Sequence, residues 1–456
     1  MGKITDKEDL TLKYVALFND VRDRLSAGLP ETMNRNRQKA FLDFMDQGIP
    51  SGKNENYKYT NLHPFFSSDY AYPSDISQLN SFIHKSFRCD VPLPDTYRGT
   101  ILNGNFIVEA EDSQGLPLGV IFDSLKNPAV KIRQLVEEYY GILADSGSDP
   151  LVALNTAFAN DGYLLFIPDN VTLEKPFQLV NFLECPGKAF VTSRNLIVAG
   201  RNSEVNLIVC DHTLNLNEYL SNSVTEIIAG ENARINIYTV QNFHNHAANI
   251  HSTFVRQERN SSVLILTASL HGGLIRNNLK IALAGENAEA NLFGMSFLDR
   301  KQHADNFVFI EHGSPHCTSN QLYKYVLDEE STGAFSGRIH VVRDAQKTNA
   351  FQRNNNLLLT DKAAMHTKPQ LIIDADDVKC SHGATVGQMD NNALFYLRAR
   401  GIPEADARLM MMNAFAHEVV QEIKVAPLRE RIDELVEKRL RGEIARCHDC
   451  AYNCEC

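Results

Sequence analysis

The chain has 456 residues, 43% of them hydrophobic, which is enough for two or three domains around a large core. Lys and Arg number 45 against 56 Asp and Glu, a formal charge of -11 that excludes nucleic acid and anionic membrane as main partners. The opening "MGKITDKEDL" has no apolar leader core, and no apolar run approaches the ~20 residues of a bilayer span, so a cytoplasmic protein is expected. Nine cysteines, four of them in the last ten residues, point to reduced thiols or metal ligands and away from a disulfide framework.

In chain order, Tyr14, Leu17, Phe18, Val21 and Leu25 recur at helical spacing before the breaker "GLP". Phe41, Phe44 and Met45 mark a second helix that stops at Gly48. "ENYKYTNLHPFF" follows, then a helical stretch, "NPAVKIRQLVEEYYGIL", leading to "LVALNTAFANDGYLLFIPD". From about residue 165 the texture becomes short strands broken by small polar turns, and the turns repeat. "IVAGRNSEVNLIV", "IIAGENARINIYT", "RQERNSSVLILT" and "ALAGENAEANLFG" align on Asn202, Asn232, Asn260 and Asn287, which are 30, 28 and 27 residues apart. Weaker echoes follow around "EHGSP", "VVRDAQ" and "LIIDADD". Asn and Gly tolerate the left-handed conformation that such corners need. Units too short for the roughly 40 to 45 residues of a propeller blade, and too short to bury a core alone, predict a parallel β-helix. An ordinary β-sandwich is the plainer alternative.

Helical pattern returns after Gly387. "NNALFYLRAR" stops at Gly401 with Pro403 beyond it, "EADARLMMMNAFAHEVVQEI" forms a second helix, and Leu428, Ile432, Leu435, Val436 and Leu440 stripe a third. The expected organisation is a helical and mixed segment over 1–164, a β-helix over 165–385, a helical segment over 386–446 and a cysteine-rich tail over 447–456.

No phosphate-binding Gly-x-x-x-x-Gly-Lys-Ser/Thr loop, Gly-x-Ser-x-Gly elbow or His-Glu-x-x-His is present, so the chain is not expected to be an enzyme. His244 with His246, and His303 with Asp305, alternate as strand neighbours; on a long β-surface such pairs serve more often as hydrogen-bonding rungs than as metal ligands, and they stay outside the candidate site. Cys447, Cys450, Cys454 and Cys456 offer enough soft ligand for one tetrahedral metal, in a spacing that matches no standard finger or ferredoxin run. In "DADDVKCSHGATVG", Cys380 and His382 stand two apart, which on a strand places both on one face just ahead of Gly383. Two such ligands suit iron or sulfur chemistry; a packed thiol beside a hydrogen-bonded imidazole is the plainer reading.

"ENYKYTNL", "ALNTAFANDG", "FSGRIHVVRDAQKTNAFQRNNNLLLTDKA", "KPQLIIDADDVKCSHGATVG" and "LFYLRARGI" together resemble, in order and from about residue 50 to 440, the SufB/SufD family of the SUF iron-sulfur cluster assembly system. "CSHGATVG", and the lack of clustered cysteines in the N-terminal half, look like its SufD branch; Tyr57 stands where the family usually has Trp. The resemblance implies a right-handed parallel β-helix flanked by helical segments. It implies a non-catalytic subunit that pairs with SufB, binds the SufC ATPase and supports iron supply and cluster assembly. A transient iron-sulfur cluster or iron would sit at the subunit interface, where His382 matches the family's interface histidine and Cys380 is its neighbour. Residues 404–440 would dock the ATPase through an apolar stripe larger than one helix pair needs, the alternative being that part of the stripe covers the end of the solenoid. Flavin binding is left open, and the isolated chain could form a homodimer. The alternatives are a SufB-like cluster scaffold and a β-helix binding module unconnected with clusters.

Overall fold

The computed structural model describes residues 6–73, 90–93, 95–107 and 115–443. Its centre is a flattened parallel β-solenoid of about eight turns. Four strands lie ahead of the repeats or at their start: β1 (Tyr97–Leu102), β2 (Asn105–Ile107), β3 (Ile121–Ser124) and β4 (Tyr163–Ile167). From β5 (Phe177–Leu183) and β6 (Ala189–Ala199) onward to β19 (Lys379–Gly387), each coil contributes one strand to each of two sheets. Odd-numbered strands with β2 build one sheet and even-numbered strands with β3 the other, and at the first end β2 runs antiparallel to β1 and β3 antiparallel to β4. Among the described residues no helix is long and apolar enough to cross a membrane.

Alternation along each strand sends one set of side chains into the lumen, and register stacks like on like. Ile197, Ile227, Val255, Ile281, Ile310 and Ile339 form one such column, each within a few percent of full burial. At the first end the lumen is plugged by Phe106, Phe122, Tyr163 and Phe177, with Phe122 4.9 to 6.0 Å from the other three ring centroids. Helices α1 (Asp6–Ser26), α2 (Glu31–Gln47), α3 (His63–Phe66), α4 (Val130–Tyr139) and α5 (Pro150–Phe158) cover the outer face of the even sheet. Helices α6 (Asn391–Arg398), α7 (Glu404–Val420) and α8 (Ala426–Leu440) follow the last strand, and α7 and α8 cover the odd sheet.

The repeated asparagines stack along one corner. Asn202, Asn232, Asn260 and Asn287 have φ of 55°, 59°, 57° and 58°. Each side-chain amide donates to the asparagine one coil earlier, starting on Asn170, at 2.8, 2.8, 3.0 and 3.2 Å. His316 and Lys347 continue the left-handed corner at φ 59° and 61°, so the weaker echoes are further turns of the same stack.

The lumen also carries polar groups. Gln241 donates to Asn277 at 2.9 Å, Asn277 to Asn306 at 3.0 Å, and Asn306 to the Tyr325 hydroxyl at 2.5 Å. A cavity of about 50 Å³ lies beside them, bordered by Thr239, His251 and Thr267. Burial pushes the Asp211 carboxyl up to about 6, against its single side-chain donor Asn181 at 3.1 Å, and lowers the His251 imidazole to about 4.

Two outcomes follow. Asn232→Ala should lose about 2 kcal/mol in urea unfolding, from left-handed strain and the ladder bond together, whereas Asn232→Gly should lose about half as much; equal losses would deny the strain. Asp211 contributes stability below the ~3.9 of an unfolded aspartate, and this is lost as pH rises through about 6; His251 contributes above ~6.5, lost as pH falls through about 4. The two oppose each other, so Asp211→Asn should make stability climb more steeply with pH, by about 3 kcal/mol between about pH 4 and 6. An unchanged pH profile would show that this carboxyl titrates normally.

Candidate functional site at the open end of the solenoid

The second end of the solenoid has no plug among the described residues. Its last coil is β18 (Ala364–Ile373) and β19, stacked on β16 (Thr332–Val341) and β17 (Asn349–Leu358). Exposure jumps by one coil: Val341 is 0% exposed and its register partner Ile373 is 41% exposed. Cys380 lies in register with buried Ala350, and His382 with buried Gln352, so both belong to lumen-facing columns that continue from the interior to the open rung. Their Cα atoms are about 7 Å apart along the strand. His382 is exposed; Cys380 is half-buried against Ile339, Val341 and Ala350. Burial pushes the Cys380 thiol above its ordinary range, which keeps it protonated at neutral pH.

The same-face placement expected from alternation is therefore present, with unequal exposure. Among the described residues no group of three or more His, Cys, Asp or Glu is arranged to hold a metal ion. Cys447, Cys450, Cys454 and Cys456 lie outside the described residues. In the other histidine pairs, the His246 backbone N–H donates to His244 Nδ1 at 2.9 Å, while His303 bonds to Thr332 at 2.6 Å and to Thr60 at 3.1 Å.

The stripe on α8 has a different use from the one expected. Leu428, Ile432, Leu435 and Val436 are all at most 4% exposed, packed on Tyr238, Leu266 and their neighbours on the outer face of the odd sheet. At about 1.5–3 kcal/mol per buried side chain this stripe is spent inside the chain. Arg439 fixes the helix end by donating to Leu270 O at 2.6 Å and to Asp299 at 2.8 Å. The apolar surface that remains lies on α6 and the start of α7: Phe395 is 74%, Tyr396 57% and Met410 50% exposed. Periodicity alone could not separate the two, since helical stripes bury against their own chain or another's equally well.

A second arrangement that spacing did not reveal sits under "ENYKYT". The Tyr57 hydroxyl donates to Asp149 at 2.8 Å, and the Arg276 guanidinium lies 4.1 Å from the Tyr57 ring centroid. Arg276 also pairs with Asp305 and donates to Asn56 O at 2.6 Å, while the Thr60 hydroxyl donates to Asp305. Asp149 in turn caps α5 through Leu151 N at 2.9 Å. This segment is a latch that holds the N-terminal helices to the even sheet. Its only sequence signal was the motif itself.

Fold and site define a two-sheet β-solenoid scaffold with one plugged end and one open end, whose last rung carries Cys380 and His382. Residues 182–415 match the family model described as SUF system FeS cluster assembly, SufBD core domain, and residues 8–179 match the SufBD protein N-terminal region. An iron-sulfur cluster assembly SufBD family protein of Synechocystis is 31% identical over 447 residues, 95% of each chain. Escherichia coli SufD is 39% identical over 173 residues, 38% of this chain and 41% of its own. Bacillus subtilis SufD is 27% identical over 345 residues, 71% and 74% of the two chains. The chain belongs to the SufBD family of the SUF iron-sulfur cluster assembly system.

The latch is testable by itself. Arg276→Met should cost about 3–5 kcal/mol by stranding Asp305 without its cation, and Arg276→Met with Asp305→Leu should recover most of it. Chemical denaturation measures both; a single variant as stable as the native chain would remove the latch from the account.

Proposed function

We propose that this chain is the SufD-type, non-catalytic subunit of a SUF assembly complex. Its open final coil pairs with the corresponding coil of a SufB-type chain, and a transient iron-sulfur cluster or its iron is held at that seam as cargo. The observation that carries the reading is the unplugged rung, where apolar Ile373 and Val386 stand 41% and 46% exposed beside His382 and Cys380. A solenoid end of this kind needs a cap or a partner.

The glycines of the motif support the same reading. A Cβ at Gly383 or Gly387 would meet nothing within 4 Å, so the packing of this chain does not require glycine at either position. Glycine there leaves room for a neighbouring backbone. Imidazole is a good ligand for iron and thiolate a stronger one for iron and sulfur; a cluster commonly takes four protein ligands, so the partner chain must supply the others. In isolation the same coil would pair two copies of the chain.

The exposed Phe395, Tyr396 and Met410 are the proposed contact for a SufC-type ATPase, and they lie on the helices that directly follow β19. Tyr396 is held by the Arg400 guanidinium at 3.3 Å from its ring centroid, a pre-ordered aromatic of the kind that anchors interfaces.

His382→Ala should leave folding and complex formation intact and lower reconstituted cluster yield about tenfold or more, read by visible absorbance on the heteromeric complex. Cys380→Ser should have the smaller effect, because that side chain packs partly inward. Normal yield from His382→Ala would sink its role as a ligand. Phe395→Ala with Tyr396→Ala should abolish ATPase co-purification while the melting temperature stays put; retained binding would move the contact elsewhere.

A further inference from the structure

The lumen column that ends at His382 changes character near the open end. Phe177, Leu207, Ile237, Ile265 and Leu292 follow one another in register, one per coil, all buried and apolar. The next two members are Gln321 and Gln352, each at most 1% exposed, and the last is His382. Two glutamines buried here cost desolvation that two more leucines would avoid. The packing nevertheless makes room for them: a Cβ at Gly337, across the lumen on β16, would overlap the Gln352 side-chain amide.

The hydrogen bonding of the pair is incomplete. Gln352 Nε2 donates to Gln321 Oε1 at 3.0 Å, one coil below. Gln352 Oε1 and Gln321 Nε2 are buried and have no partner among the described residues. An orphaned acceptor at such depth is uncommon in a folded chain and calls for a donor. A glutamine of this column already spans the coil spacing of about 4.8 Å, and the register partner one spacing above Gln352 is the exposed His382. A neutral imidazole carries N–H on one ring nitrogen and a lone pair on the other, so a bond from the first to an amide oxygen aims the second away from it. Metal-bound histidines are held in this way, by an acceptor on the nitrogen that does not touch the metal.

We propose that Gln352 is the positioning residue for His382: its Oε1 accepts the N–H of one ring nitrogen, which fixes the tautomer and turns the other nitrogen out of the open coil as a ligand for iron. Gln321 holds the Gln352 amide from below, and Gly337 gives that amide its space. The inference rests on the ligand role proposed above for His382, and it is independent of which chain covers the coil.

The test sets stability against function in the full chain. Gln321→Leu with Gln352→Leu completes the apolar column, so it should melt at or above the native temperature and yet lower reconstituted cluster yield in the assembled complex about tenfold. Gln352→Glu keeps an acceptor, which Gln321 Nε2 is free to serve from below, so it should melt lower and yet retain most of the yield. A packing role gives the reverse order, with yield following stability. The second readout needs no cluster: in the free chain at about pH 8, where imidazole is neutral, nitrogen NMR of isotopically labelled histidines should show a single tautomer for His382, its signals assigned by their loss in His382→Ala. The double leucine variant should show the two-tautomer mixture of an unconstrained imidazole, and Gln352→Met carries the same expectations should the leucine pair fail to fold. If His382→Ala keeps normal cluster yield, the ligand reading falls and this inference with it. If His382→Ala is impaired while the variants lacking the Gln352 amide keep either a normal yield or the native tautomer, this inference alone is overturned.

Discussion

In a stack of β-coils each rung draws its hydrogen bonds and apolar contacts from the coil before it and the coil after it, so the last coil always lacks one set. This chain answers that constraint differently at its two ends. The first end closes on itself with β2 and β3, antiparallel to β1 and β4, and four aromatic rings packed edge to face around Phe122. The second ends on β18 and β19, with columns that are buried in the coil below and exposed in the last. Everything proposed about function depends on that asymmetry, because the columns that run out into solvent are the ones carrying Cys380 and His382.

The flanking helices leave the open end free because they are pinned elsewhere. Arg194, fully buried, pairs with Glu226 at 2.8 Å and lies 4.9 Å from the Tyr140 ring, while Glu226 also accepts from Gly141 N and Leu143 N at 2.8 Å. Arg276 secures "ENYKYT", and Lys324 holds α7 by donating to Phe415 O at 2.9 Å. Buried ion pairs add little net stability but penalise misplacement strongly, since a shifted helix would strand a charge in the protein interior. Orientation of the helices over the sheets, more than adhesion, is what these cations supply.

How much of this could be read from the amino acids depends on whether the signal was local. The corner asparagines were legible because a left-handed turn restricts residue choice at one position per coil, and their spacing is the coil length. His316 and Lys347 were fainter, since they take the same conformation without the residue that favours it. β1 and β3 carried no repeat and could not be joined to the coils, because the strands that tie them in, β5 and β4, lie far along the chain. Cys380 and His382 were placed on one face by alternation, but their unequal exposure depends on what stacks beneath them. The α8 stripe was read as surplus when it is consumed by the odd sheet, because periodicity tells which face is apolar and not what covers it.

The most direct test of the central claim is backbone hydrogen–deuterium exchange of this chain, free and paired with a SufB-type chain. The account predicts that amides of residues 364–373 and 379–387 exchange readily in the free chain and become protected on pairing, while strands in the middle of the solenoid stay protected throughout. Stable pairing with no change in these two strands would contradict it, and would mean that the open coil is not where the chains meet.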